Sequence, residues 1–288
     1  MTIQELLDNL KIEYLESGHH HSRPGWIQLK DCPFCSSDNY HLGFNVELKF
    51  FACWRCGGHH IIKTLLAFGV GYEKARKVVA GLDTPELNKP EISRVSLQIP
   101  KGIGRLLDAH VRYLESRGFD PKEIERVWHV KGIGIASRLA WRIYIPIIYQ
   151  GEVVSWTTRS IGREVSQRYI SASAEEERIN HKSLLYGQDY CYHSIIVVEG
   201  PTDVWNVGPG AVALFGTAFT SAQVKRLIQF PYRYIVFDSS DTAQTKADEL
   251  ANQLSTFPGT TQTVVLDADD PGSATRKEIK RLRAVARL

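Results

Sequence analysis

The sequence predicts an α/β protein in three parts: an N-terminal zinc ribbon of short strands with helices, a mixed α+β basic subdomain, and a C-terminal domain with a mainly parallel sheet. Three observations predict it. Four cysteines stand in two C-x2-C pairs, Cys32-Pro-Phe-Cys35 and Cys53-Trp-Arg-Cys56, with 17 residues between them. From about residue 193 onward, apolar runs alternate with amphipathic stretches of roughly 10–15 residues, the pattern of a parallel sheet with crossover helices. Between these regions the charge is lopsided. Residues 89–195 carry 16 Lys and Arg against 12 Asp and Glu, whereas 1–88 carry 9 against 10 and 196–288 carry 10 against 10. A basic middle flanked by neutral parts suits a polyanion track, although a solvated charged surface accounts for the same counts.

The expected division is a zinc-binding domain over 1–82, a linker over 83–94, a basic subdomain over 95–191, and a C-terminal domain over 192–288 that ends in a basic helix. Ile3, Leu6, Leu7 and Leu10 give the first helix its apolar face. Short strands follow around the cysteines, then a helix from about Ile61 to Val79. The polar, Pro-containing "GLDTPELNKPEISR" reads as the linker. "GRLLDAHVRYLESRG" and "DPKEIERVW" read as helices, and "WRIYIPIIYQGEVVSWTTRSI" as two strands turned at Gln150-Gly151. The C-terminal strands are "SIIVVE", "AVALF", "YRYIVFD" and "TQTVVLD". The helices among and after them are "PTDVWNV", "TSAQVKRLIQF", "TAQTKADELANQL" and "TRKEIKRLRAVAR". The N-terminus is acidic and amphipathic, unlike a secretory leader. The run "IYIPIIYQG" falls far short of the about 20 residues of a membrane helix. A soluble, cytoplasmic protein without membrane contact is expected.

Each cysteine pair offers two thiolates from one turn, and a hairpin brings the pairs into tetrahedral geometry, so Cys32, Cys35, Cys53 and Cys56 are expected to hold one structural zinc ion. Disulfides or a redox pair lack a supporting context. His19, His20, His21, His41, His59 and His60 crowd the same block, and one of them replacing a cysteine is the alternative ligand set. Aromatic and basic residues interleave here, and Trp54, Arg55 and Lys63 are the candidate contacts to single-stranded nucleic acid. Packing around the metal accounts for part of that aromatic content. Cys191, alone in an apolar run, reads as a buried residue.

Acids gather where the C-terminal strands end: Glu199 with Asp203, Asp238 with Asp241, and Asp267, Asp269 and Asp270. Ligands collect at the carboxyl ends of parallel strands. A well of hard oxygen donors is stable with Mg2+ or Mn2+ in it. The competing reading makes Asp203 and Asp241 first-turn acids that favour the helix dipole, and Asp270 a turn residue before Pro271.

"VVEGPTDVW" followed by "IVFDSSDTAQ" resembles the TOPRIM fold of primases and topoisomerases, with its Glu-Gly-x-x-Asp motif and later Asp-x-Asp motif. The cysteine segment resembles the zinc-binding domain of bacterial and phage DnaG-type DNA primases. "RYLESRGFD", "WRIYIPI", "VVSWTTRSI", "RYISAS", "HKSLLYG" and "ALFGTAFTSAQ" resemble the primase core, in order, from about Gly18 to Gly272. The resemblance implies a DNA-directed RNA polymerase of the primase type, making short RNA primers on a single-stranded DNA template from nucleoside triphosphates, with a replicative helicase acting in trans. It makes Glu199 the central catalytic carboxylate, with Asp238 and Asp241, and adds Asp203 and Asp270 as magnesium or manganese ligands. It makes Arg159, Arg168 and Lys182 contacts to nucleotide or template. The family's Asp-x-Asp-x-Ala-Gly here reads Asp238-Ser-Ser-Asp241-Thr-Ala-Gln244, with one extra residue between the acids and the glycine lost. The chain continues some 16 residues past Gly272 with no helicase segment, which resembles a compact phage or mobile-element form. A non-catalytic zinc/TOPRIM nucleic-acid-binding protein, of the recombination-mediator kind, is the rival reading. A TOPRIM nuclease or topoisomerase would need a nucleophile, and a lone tyrosine such as Tyr186 or Tyr192 does not stand out from core residues.

Overall fold

The computed structural model describes residues 2–22, 24–82, 90, 92–93, 95–135, 138–162 and 166–288. The linker expected over 83–94 lies, apart from Pro90, Ile92 and Ser93, outside the described residues.

α1 (Ile3–Asn9) starts at a reciprocal cap, in which the Thr2 hydroxyl accepts from the Glu5 N–H (3.1 Å) and the Glu5 carboxylate accepts from the Thr2 N–H (2.7 Å). It buries Ile3, Leu6 and Leu7 against an antiparallel sheet. That sheet runs in chain order through β1 (Tyr14–Leu15), β2 (Trp26–Leu29), β3 (Leu42–Asn45), β4 (Phe50–Cys53) and β5 (Gly57–His59). The single helix expected from about Ile61 to Val79 is two, α2 (Ile61–Ala67) and α3 (Tyr72–Ala80). Gly69 takes φ +83°, and the Val70 N–H bonds Leu65 O while the Gly69 N–H bonds Leu66 O. That pair of bonds closes a helix end, and Val70 then folds back into the core. The periodicity survives the break because both pieces bury their apolar residues in the same core.

The second sheet comprises β6 (Ile103–Gly104), β7 (Lys131–Ile133), β8 (Arg142–Tyr149), β9 (Glu152–Ser160) and β10 (Tyr169–Ser171), antiparallel throughout. α4 (Asp108–Ser116) and α5 (Pro121–Trp128) lie between β6 and β7 in the chain. Gln150 (φ +53°) and Gly151 (φ +79°) form the expected two-residue turn between β8 and β9; both central residues are left-handed, as the twist of a tight hairpin requires.

The third sheet is wholly parallel, in the order β12 (Ala211–Ala213), β11 (Ser194–Val198), β13 (Tyr232–Ile235), β14 (Thr260–Thr263). The intervening helices are α6 (Pro201–Val207), α7 (Ser221–Leu227) and α8 (Asp241–Leu254), and α9 (Arg276–Ala286) follows β14. Its central strand β11 is apolar on both faces over residues 195–198. Ile196 and Val198 join a core shared with α6, α9 and the second sheet, while Ile195 and Val197 pack toward α7 and α8. The first core therefore runs continuously across the boundary expected near 191. Leu48, from the turn between β3 and β4, is buried in the second of these cores, and Glu47 beside it pairs with Lys225. His60 Nε2 lies 3.2 Å from the carbonyl of Ser255, just past α8. These contacts fasten the cysteine-bearing module to the parallel sheet's helices. Among the described residues no helix is long and apolar enough to cross a membrane.

Candidate active site

The cysteines converge as their spacing predicts. Cys53 closes β4 and Cys56 immediately precedes β5, while Ser36 (φ +55°) and the bond from Ser36 N–H to Cys32 O turn the first pair. Cys32 and Cys56 sulfurs are 3.6 Å apart and Cys35 and Cys53 sulfurs 3.8 Å, with all four within 4.8 Å of one another. Sulfurs at Zn–S bonds of about 2.3 Å in a tetrahedron stand about 3.8 Å apart, so donor set and spacing both fit structural zinc. Burial, and then the neighbouring sulfurs, push the Cys56 thiol well above its ordinary pKa. His59 replaces no cysteine; its Nε2 lies 3.1 Å from Cys56 Sγ and its ring stacks on Phe34. Trp54, Arg55 and Lys63 are exposed around this knuckle, with Lys63 Nζ 5.8 Å from the Phe34 ring centre.

At the parallel sheet, adjacent strands bring Glu199, Asp238 and Asp270 to one end. β11 runs into Glu199 and Gly200, and Pro201 then opens α6 with a φ already suited to a helix. The Gly200 N–H donates to Asp203 Oδ2 (2.8 Å), and the Asp238 N–H donates to Glu199 Oε1 (3.0 Å). Asp203 is only 8% exposed. A Cβ on Gly272 would stand 2.6 Å from Asp203 Oδ1 and 3.1 Å from Asp270 Oδ1, so only glycine lets the loop after β14 reach these two carboxylates. Burial chiefly, then Asp238, Asp270 and Glu199 despite the Gly200 bond, pushes Asp203 up to about 7. Burial, then Glu199 and Asp270, pushes Asp238 up to about 6. Glu199 is raised by burial and by Asp270, against the bond from Asp238.

These acids line a cleft of about 360 Å3. Arg117, Arg159, Arg168, His181 and Lys182, with Tyr169, line the same cleft. Arg159 is buried, its Nε donating to Tyr113 Oη (2.6 Å) and its Nη1 to Tyr169 Oη; Tyr169 Oη also lies 3.3 Å from Thr202 Oγ1. Burial works against the charge on Arg159, but the two tyrosines outweigh it and hold its pKa above the usual value. Lys182 Nζ donates to the carbonyl of Phe215 (2.7 Å), whose backbone is left-handed (φ +61°); burial lowers the pKa of this lysine. Arg168 is exposed at the rim.

Asp241 does not join the cleft. It is exposed in the first turn of α8, after a Ser240 cap that accepts from Ala243 N–H. Gln244, where the family's motif has glycine, donates to the carbonyl of Asp238 (2.8 Å) and ties α8 to the strand end. Asp267 and Asp269 are also exposed and off the cleft. Arg117, Tyr169 and His181 were not singled out as site residues. Each lies inside a stretch that carries the resemblance ("ESRGFD", "RYIS", "HKSLL"), and that was the available signal.

No family model matches the chain, and no curated protein matches it. Solved structures do. The zinc-binding and RNA polymerase domains of Aquifex aeolicus primase are 18% identical with a TM-score of 0.53, over 100% of this chain and 83% of that one. The RNA polymerase domain of Mycobacterium tuberculosis primase DnaG is 21% identical with a TM-score of 0.53, over 63% of this chain and 77% of that one. The DnaG catalytic core is 21% identical with a TM-score of 0.51, over 62% and 71%. A cysteine module fit for zinc, a mixed α+β core and a parallel TOPRIM-like sheet give this chain the fold of the DnaG-type primases.

Proposed function

We propose that the protein is a DNA primase that synthesises short RNA primers on single-stranded DNA by metal-dependent nucleotidyl transfer. The observation that carries this reading is one cleft lined by Glu199, Asp203, Asp238 and Asp270 together with Arg117, Arg159, Arg168, His181 and Lys182. The four acids would hold Mg2+ or Mn2+, which when bound neutralises charge on the reacting phosphates and on the departing pyrophosphate. Asp203 and Asp238, with their raised pKa values, would release protons when a cation arrives, which suits an open site of hard oxygen donors.

The chain's own residues do the positioning. Arg159, pinned between Tyr113 and Tyr169, presents a fixed charge that cannot swing away. Arg168 and Arg117 are available to triphosphate or template phosphates, and Lys182 stiffens the loop beside Glu199 while adding its charge. Initiation joins two nucleotides without a pre-paired primer, so such fixed geometry must replace base-paired register. In this reading residues 1–82 select the template, 95–191 hold it and 192–288 carry the chemistry. Trp54, Arg55 and Lys63 supply a stacking and cationic surface for unpaired bases. α8, 14 residues and so about 21 Å long, runs from near Asp238 to the module's His60 contact and links the two regions.

Incorporation of labelled ribonucleotides on random single-stranded templates, with Mg2+ and Mn2+ compared, tests the proposal. Short RNA products are expected, and Glu199→Gln should lower synthesis at least about 100-fold while DNA binding persists. Full activity in Glu199→Gln would overturn it. Metal-independent DNA binding with no synthesis by the unaltered protein would favour the recombination-mediator reading instead.

A further inference from the structure

Besides the four thiols, one other described cluster has three potential metal donors within 4.8 Å of one another: the imidazoles of His19, His20 and His21, in the loop between β1 and β2. The loop is shaped to hold them together. The Ser22 N–H bonds His19 O (2.8 Å) and the Ser22 hydroxyl accepts from the His19 N–H (3.2 Å), so the chain turns back on itself across the three residues. Ring centres stand 4.2 Å apart for His19 and His20, 3.9 Å for His20 and His21, and 5.2 Å for His19 and His21. A second observation points to a ligand: His21 Nε2 is buried with no hydrogen-bond partner. Leaving such a nitrogen unsatisfied is unfavourable, and a cation would satisfy it together with its neighbours.

We propose that His19, His20 and His21 form a second transition-metal site on the module, separate from the thiol set, which takes one Zn2+ ion. Three imidazoles with no carboxylate select zinc, nickel or copper over magnesium, and zinc is the metal the adjacent thiols also take. Nitrogens at Zn–N bonds of about 2.1 Å stand about 3.4 Å apart in a tetrahedron, so ring rotations of about an ångström close the set. The long bond from the His21 N–H to His19 Nδ1 (3.3 Å) is the contact that coordination would replace. Three protein ligands leave the fourth position to water or to an incoming group.

The site is coupled to the knuckle. The His21 ring lies 4.8 Å from that of His41, whose Nδ1 bonds the hydroxyl of Ser37, and 6.0 Å from the near-parallel ring of Trp54. An ion here fixes the loop against the exposed indole, independently of any catalytic role of the cleft.

The test uses the untagged full chain, since a histidine tag would add imidazoles of its own. After growth with zinc and desalting, elemental analysis should find two zinc ions per chain in the unaltered protein and one in the variant carrying His19→Ala, His20→Ala and His21→Ala. Titration of the metal-stripped protein with Co2+ alone should show two saturable events. One carries thiolate-to-cobalt charge transfer, and the other lacks it and weakens at least about 10-fold in His21→Gln. One zinc per chain with a single cobalt event in the unaltered protein overturns the proposal, whether or not the variants fold. A second ion that persists unchanged in the triple variant overturns it too.

Discussion

At the knuckle four sulfurs stand within 4.8 Å of one another, already close to the vertices of a metal tetrahedron. The carboxylates of Glu199, Asp203, Asp238 and Asp270 line one cleft, but no three of them close to that spacing. The difference lies in what positions each set. The thiols come in two pairs, each with only two residues between its cysteines, so local backbone geometry brings each pair together. The acids come from two strand ends, a loop and a helix, held by single hydrogen bonds such as Gly200 to Asp203 and Asp238 to Glu199. A closed thiolate set suits a structural ion that never leaves. An open carboxylate set suits hard cations that keep several waters and arrive with substrate phosphates.

The largest effect should come from breaking the closed site. Cys53→Ser should release zinc and with it on the order of 10 kcal/mol of folding free energy from the module. Hydrogen exchange should then show protection lost over β2 to β5 and kept in β8, β9 and β11. Uniform protection in the zinc-free protein would mean that the module's apolar core suffices alone.

Breaking the open site should instead spare the fold and remove function. Asp238→Asn should reduce primer synthesis by about 100-fold, with thermal stability equal or higher. Equal loss of activity from Asp241→Asn would mean that the start of α8 rearranges during the reaction, because Asp241 faces solvent in this structure.

The open site also predicts a response to pH without added divalent metal. Asp203 and Asp238 are held near 7 and 6 against ordinary values of 3.8, and Glu199 is raised as well. Folded-state pKa values above the unfolded ones give stability that is fully present below about pH 4 and lost as pH rises through about 7. For buried Asp203 the loss is on the order of 4 kcal/mol. Thermal melts should therefore fall between pH 5 and 8 in chelator, recover with Mg2+, and flatten in Asp203→Asn. A melt independent of pH in all three conditions would remove the electrostatic account of the cleft.

The smallest effect belongs to Asp241. As a first-turn acid it stabilises α8 by under about 1 kcal/mol, so Asp241→Asn should change synthesis less than about 3-fold and lower the melting temperature slightly.

What was legible in the sequence was what short spacing encodes. Two C-x2-C pairs define a donor set by themselves, and the strand–helix alternation after residue 193 implies a parallel sheet because each periodicity is a local property. Glu199 and Asp238 were visible for the same reason, since they follow closely on buried apolar runs; Asp270 lies seven residues past β14, and only the loop carries it back to them. Side-chain direction after the strand was not legible. One residue inserted before a helix turns each following side chain by about 100°, and so Asp241 faces solvent while Asp203, three residues after Gly200, faces the cleft. The break between α2 and α3 escaped the periodicity because both helices serve one core. The arginine–tyrosine clamp on Arg159 joins α4, β9 and β10, and the docking of Leu48 and His60 joins residues far apart in the chain. Local composition carries no record of such pairings. The sequence by itself determined the ligand chemistry and the acids that follow the strands; only the tertiary structure decided which acids share a cleft and which cations line it with them, because those contacts join residues far apart in the chain.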